Sequence, residues 1–302
     1  MKKTNKAEPM IRDAKYPLLA KAGTGSGIYQ SVLKEETGWQ FLNFQARLLK
    51  KGESWIADTG GNEYAIILLG GNYSVKSDRG SWETLNGRKD VFSGIAHTLY
   101  LPRNTEFELR AESELLDIAY GWCETDEDHP ARFKGPEEAA IEIRGGDNAT
   151  RQINSLLEPG FDCHRLVSVE VYTPSGNWSS FPAHKHDTRK VDENGKVVEA
   201  RLEETYFYKI DKPQGFAIQQ VYNDDRSLDE IAVARNNDVV LVPGGYHPVV
   251  AGHGYNVYYL NFLTGSDQSL ANTDDPDHKW IYGSWKGKDP RIPLVTARMN
   301  KQ

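Results

Sequence analysis

The sequence predicts an all-β protein built as two similar barrels with a few short helices, on three observations. Apolar runs of strand length recur along the chain: Tyr64-Ala-Ile-Ile-Leu-Leu69, Thr98-Leu-Tyr-Leu101, Val239-Val-Leu-Val242 and Asn256-Val-Tyr-Tyr-Leu260. All are rich in the β-branched and aromatic residues that suit a pleated surface. Twenty-seven glycines and 14 prolines break these runs into short segments, and helical periodicity is confined to Pro136 to Ile141 and Asn148 to Leu157. Finally, the pattern repeats. Glu63 and Glu204 each enter an apolar strand, and the strands that stop at Pro102 and Pro243 match in the same register, both pairs being 141 residues apart.

Taken in order, residues 1–147 form a first barrel and residues 148–302 a second, divided at the turn-rich stretch Gly145-Gly-Asp-Asn148. In the repeat register Glu106 stands where His247 stands, and no His-x-His precedes Glu63. The first barrel is therefore expected to be degenerate and to bind no metal.

Forty-three acidic against 36 basic residues give a net charge of −7. That balance repels phosphate backbones and anionic bilayers and argues for a small soluble ligand, with no nucleic acid and no membrane as partner. Cys123 and Cys163 are the two cysteines, too few for a disulfide framework or a thiolate metal site. Lys2, Lys3 and Lys6 are followed by no apolar run of signal-peptide type, so a cytoplasmic location is expected. Homo-oligomerisation is left open.

The strongest local signal is Pro182-Ala-His184-Lys-His186-Asp187. Residues two apart on a strand share a face, so His184 and His186 can both point into a barrel while Lys185 points out. Alone, a His-x-His is more often packing or surface. Here Glu204 heads a strand whose Tyr206 and Tyr208 share its face, and His247 follows the turn Pro243-Gly-Gly-Tyr246 at the barrel mouth. Three imidazoles and a carboxylate suit one borderline divalent ion such as zinc, manganese, iron or nickel.

This order resembles the two motifs of the cupin superfamily, a His-x-His with a downstream Glu and a last His after a Pro-Gly turn. The likeness extends over Gly176-Asn-Trp-Ser-Ser-Phe-Pro182, Leu202-Glu-Glu204, Gly245-Tyr-His-Pro248, Tyr258-Tyr-Leu-Asn261, Ala96-His-Thr-Leu-Tyr-Leu-Pro102 and Asp275-Pro-Asp-His278. Over essentially the whole chain it is similar to the 5-deoxy-glucuronate isomerases of myo-inositol catabolism. The resemblance implies two cupin-type barrels (a bicupin), a metal held by His184, His186, Glu204 and His247, and isomerisation of 5-deoxy-glucuronate to 5-dehydro-2-deoxy-gluconate. Zinc or manganese would serve, because an aldose-ketose conversion needs no redox change.

The chain departs from the usual cupin pattern in the seventeen residues Asp187 to Glu203 that separate His186 from Glu204. With Asn194-Gly195 at its centre the insertion reads as a β-hairpin arm, and either Glu203 or Glu204 could be the ligand, Glu204 being in phase with Tyr206. Proton-transfer candidates are Tyr206, Tyr246 and Gln219, with Tyr208 and Gln220 beside them; core packing is the bland reading of each. For the substrate carboxylate the cations nearest in sequence are Arg165, Lys185 and Arg201. His164 and His278 are candidates for the mouth, His129 and His253 read as exposed loop residues, and Cys163 has no cationic setting to make it a nucleophile. A cupin dioxygenase and a non-catalytic sugar-binding cupin are the rival functions.

Overall fold

A computed structural model describes residues 18–23 and 27–301. Among them the regular structure is almost all strand, with one four-residue α-helix, Lys34–Thr37, and short 3₁₀ turns. Two large antiparallel sheets dominate. The N-terminal sheet runs Arg132–Lys134, Thr98–Leu101, Asn62–Gly70, Leu115–Glu124, Asn43–Lys50, Gly27–Val32. The C-terminal sheet runs Leu19–Ala20, Val239–Val242, Leu202–Ile210, Val257–Gly265, Val167–Thr173, Arg151–Leu157, Ile141–Arg144. Each half also has a four-stranded sheet, which includes Ser54–Asp58 and Glu106–Ala111 in the first half and Val249–Ala251 and Ala217–Tyr222 in the second.

The cores explain why the longest strands read as unbroken apolar runs. Ile66 and Leu68 pack with Trp55 and Leu109 of the small N-terminal sheet. Their neighbours Ala65, Ile67 and Leu69 pack on the other face with Tyr258, Leu260 and Phe262 of the C-terminal sheet. On Leu202–Ile210, Tyr206 and Tyr208 face Ala217 and Val249, while Phe207 faces the centre. Both large sheets are thus covered on both faces, the condition under which strict alternation of apolar and polar residues disappears. The central contact is tight: a Cβ on Gly121 would lie 2.5 Å from the Phe262 ring.

Polar groups also cross between the halves. The Glu203 carboxylate accepts the backbone N–H groups of Gln40 (2.5 Å), Phe41 (2.9 Å) and Leu42 (2.8 Å). Glu63 accepts those of His164 (2.9 Å), Arg165 (2.7 Å) and Leu166 (3.1 Å). Arg88 and Glu170, both fully buried, pair at 2.8 Å. Leu19–Ala20 joins the C-terminal sheet beside Val239–Val242, reinforced by Lys21 and Asp238, which pair at 2.6 Å across 217 residues of chain.

Three expectations are corrected. Asn148 to Leu157 is not helical: after the 3₁₀ turn Asp147–Ala149, Arg151–Leu157 is a strand between Ile141–Arg144 and Val167–Thr173. Ile153, Leu156 and Leu157 have helical spacing, but burial on both faces of a strand produces the same spacing, and pairing on both edges decides the outcome. Pro136 to Ile141 forms only one 3₁₀ turn, Pro136–Glu138. The repeat register also slips by one: Tyr64 pairs with Leu101 as Glu204 pairs with Val242, so Glu63 is the counterpart of Glu203 and the place of Glu204 is taken by Tyr64. The insertion is the expected hairpin, Lys190–Val191 pairing with Val197–Glu199 around Gly195 at φ +80°.

Candidate metal centre

His184 and Lys185 form a two-residue strand against Thr273–Asp274, and His186 follows, its carbonyl taking the backbone N–H of Leu202 at 2.9 Å. This places the His-x-His beside the start of Leu202–Ile210, where Glu204 points to the same side. His247 is brought in by the turn Pro243-Gly-Gly-Tyr246. Gly245 sits at φ +82°, and a Cβ there would come within 2.4 Å of the Tyr222 carbonyl, so the turn admits no larger residue.

Two imidazole nitrogens converge on one carboxylate oxygen. His186 Nε2 lies 2.9 Å and His247 Nε2 3.3 Å from Oε2 of Glu204, and the three residues have ligand atoms close enough together to share an ion. His247 donates Nδ1–H to the Gly245 carbonyl at 2.8 Å, so its Nε2 carries a bare lone pair. That atom is buried without a hydrogen-bond donor, as is Nδ1 of His186. A lone pair aimed at a carboxylate oxygen inside a protein is unfavourable unless a cation sits between them. The donor set therefore fits a divalent metal, and the Gly245 carbonyl fixes the tautomer that such binding needs. The His184 ring lies 4.9 Å from that of His247, adjacent to the trio.

Protonation states agree with this geometry. Burial pushes His247 down to about 4, against the pull of Glu204. Burial, then the neighbouring imidazoles of His247 and His186, hold His184 well below the usual range. For His186 burial works the same way, but the hydrogen bond and charge of Glu204 outweigh it and raise its pKa. Tyr206, with its hydroxyl 3.2 Å from Ser180 Oγ, is pushed well above the usual phenol range by burial and then by the Glu204 charge. It is a protonated donor at neutral pH.

A family model described as the KduI/IolB family matches residues 18–281. The chain belongs to the KduI/IolB family. A 5-deoxy-glucuronate isomerase of Geobacillus thermodenitrificans is 39% identical over 254 residues, 84% of this chain and 90% of that protein. The crystal structure of an IolB-like protein from Salmonella typhimurium LT2 is 37% identical with a TM-score of 0.83, covering 88% of this chain and 99% of that one. An oxalate decarboxylase from Lactobacillus farciminis, seen as a formate complex, has a TM-score of 0.59 at 11% identity over 97% of this chain and 98% of that one. That last likeness is one of fold alone and relates the arrangement to cupin-type proteins.

In this KduI/IolB chain the cavity at the trio is lined by His184, His186, Glu204 and Tyr206. Glu203 points the opposite way, to the 40–42 turn. Gln219 lies one layer behind, accepting from Tyr208 at 2.7 Å and donating to the His247 carbonyl at 3.4 Å, so it steadies the His247 backbone. Tyr246 and Lys185 face the other side, where both bond Asp224; each neighbours a histidine in sequence but is directed away from it. Arg165 donates to the Gly265 carbonyl at 3.2 Å and lies over Phe41, and Arg201 lines a separate depression with Glu203. His164 is held by Thr125 at 2.8 Å, His129 by Asp162 and Glu127; both belong to a surface cluster. Cys163 is buried, and burial raises its thiol. His247, expected at the mouth, is fully buried.

Sequence reasoning missed Arg144, Arg151, Ser180, Tyr259 and Asn261, all of which line the cavity. For the two arginines the available signal was the strand pairing of 141–144 with 151–157, hidden by reading the latter as helix; Ser180, Tyr259 and Asn261 lie within the stretches Gly176 to Pro182 and Tyr258 to Asn261 that carry the family likeness. Among the described residues no helix is long and apolar enough to cross a membrane.

Proposed function

We propose that the chain is a 5-deoxy-glucuronate isomerase, converting 5-deoxy-glucuronate to 5-dehydro-2-deoxy-gluconate in myo-inositol catabolism. The observation that carries this reading is the extent of the likeness. Identity to a 5-deoxy-glucuronate isomerase runs over 254 residues, and the family match spans residues 18–281, within which His184, His186, Glu204 and His247 all fall. The two pairs of sheets are read as two cupin-type barrels divided near residue 147. The first is degenerate, and Leu19–Ala20 and Ile141–Arg144 belong to the second by their pairing.

The reaction moves a proton from the carbon next to the aldehyde onto the aldehyde carbon, and a hydroxyl proton from one oxygen to the other, through an enediol. No electrons leave the substrate. His184, His186, Glu204 and His247 would hold one divalent ion, zinc or manganese. When bound, it supplies Lewis acidity toward the carbonyl and its neighbouring hydroxyl. His247 and His184, kept neutral by burial, offer lone pairs instead of protons. Tyr206 keeps its proton and, bridged to Ser180, donates a hydrogen bond to a substrate oxygen, stabilising the negative charge that develops there. Gln219 holds the His247 backbone in place from behind, and the buried walls formed by Tyr206 and Tyr259 exclude water from the enediol.

The test is anaerobic turnover of 5-deoxy-glucuronate by protein loaded with zinc or manganese, in deuterated water. Ketose should form with solvent deuterium entering the carbon that was the aldehyde. Absence of conversion, or a requirement for oxygen, would overturn the assignment.

A further inference from the structure

Arg144 and Arg151 stand directly opposite each other on the paired strands Ile141–Arg144 and Arg151–Leu157, and both line the cavity that contains His184, His186, Glu204 and Tyr206. Like charges directly opposite on a sheet repel, so such a pair persists where anions answer it. Arg144 has its anion: Nε and Nη2 grip the Glu142 carboxylate at 2.7 and 2.8 Å. Arg151 has none. It is 8% exposed, its Nη1 donates to the Phe181 carbonyl at 3.2 Å, and among the described residues no carboxylate lies within ion-pair distance of it.

A buried guanidinium with most of its donors unspent is costly in the free protein and becomes favourable when a planar anion fills the fork. Its tether places it well. Phe181 follows Ser180, whose hydroxyl bonds Tyr206, so the cation and the proposed hydrogen-bond donor are fixed to the same two-residue segment.

We propose that Arg151 binds the carboxylate of the sugar acid, with Arg144 supporting it from the cavity rim. The substrate then lies with its acid end on the paired strands and its reacting end toward the histidines. Arg151 is the residue by which the site prefers a uronate to the corresponding neutral sugar. This rests on the isomerase reading for the identity of the substrate, while the preference for an anion rests on the arginine pair itself.

The experiment compares wild type, Arg151→Lys, Arg151→Gln and Arg144→Gln on 5-deoxy-glucuronate and on the same sugar carrying CH₂OH in place of the carboxylate, with metal content measured for each. Wild type should favour the acid by about a hundredfold or more in kcat/KM, since a site that pairs a buried polar group rejects a ligand lacking its partner. Arg151→Gln should raise KM for the acid by about tenfold or more with a much smaller change in kcat and unchanged metal content, and should narrow the preference for the acid over the neutral sugar by about the same factor. Arg151→Lys, which keeps the charge and loses the fork, should fall between them. An Arg151→Gln protein that keeps the preference for the acid overturns the proposal.

Calorimetric binding of D-glucuronate against D-glucose to wild type and to Arg144→Gln, at a side chain 42% exposed, covers the case in which Arg151→Gln does not fold. Weaker glucuronate binding by Arg144→Gln supports the proposal, and equal binding of the acid and the neutral sugar by wild type overturns it. A wild type that binds glucuronate selectively but does not isomerise 5-deoxy-glucuronate would sink the isomerase reading and leave this one standing.

Discussion

Glu63 and Glu203 hold the two halves of the molecule together by the same device, applied from opposite sides. Each is a buried carboxylate at the start of a central strand, and each accepts three consecutive backbone N–H groups from a turn of the other half, residues 164–166 and 40–42 respectively. A three-donor cradle is satisfied by a carboxylate and not by an amide, whose NH₂ would face donors. Glu203→Gln is expected to cost about 2–4 kcal/mol of stability, read from urea unfolding, with metal content and substrate KM retained. A loss under about 0.5 kcal/mol would show that the cradle is incidental.

Its neighbour should behave in the opposite way. Glu204→Gln and His247→Gln remove one side of the lone-pair convergence, and both should drop bound metal from about one ion per chain to a small fraction, with activity falling in step. Glutamine is the substitution of choice because His247 is fully buried and truncation would leave a hole. Elemental analysis of the purified variants checks the expectation; full metal content in both would remove the centre from this location.

Tyr206→Phe deletes the hydroxyl that bonds Ser180 and keeps the ring against His247, 5.8 Å between centroids. With its phenol held in the protonated form, the loss should appear in kcat, by about a hundredfold. Metal content and KM should change little. Steady-state kinetics with a metal assay distinguish this from a packing role, in which kcat would survive.

The acid limb of the stability profile should carry a signature of His97. Burial, then the Arg88 charge, pushes this imidazole down to about 4, and its Nδ1 is buried without a partner. The unfolded chain takes up a proton near pH 6.5 that the folded chain refuses until about pH 4. The stabilisation is therefore complete above pH 6.5 and drains away as pH falls toward 4, by about 1.4 kcal/mol per unit. Between pH 7 and 5 that amounts to about 2 kcal/mol. His97→Gln should remove this component from urea titrations at the two pH values. An unchanged loss in the variant would assign the acid limb to other groups.

The strands, the hairpin arm and the order of the histidines and Glu204 were legible in the sequence, because strand-length apolar runs and an Asn-Gly turn are local signals. What was not legible depends on pairing. Arg151–Leu157 reads as helix until its two neighbours are known. The one-residue slip that makes Tyr64 the counterpart of Glu204 is invisible without the register of Thr98–Leu101. Arg165, Lys185 and Arg201 were chosen for nearness along the chain, which says little about nearness in a sheet: the arginines that reach the cavity come from Ile141–Arg144 and Arg151–Leu157, strands that precede all three. Lys185 illustrates the point most simply, since a residue between two inward-facing histidines must face outward.

The pairing of Leu19–Ala20 with Val239–Val242 has a consequence for biosynthesis. These two residues leave the ribosome long before the strand that receives them has been made, so the C-terminal sheet cannot be completed until most of the polypeptide has emerged. During that interval Val239–Val242, once formed, presents an open edge to any passing strand. Expressing the second half by itself would make this transient state permanent, and a fragment beginning near residue 148 should associate with itself along that edge.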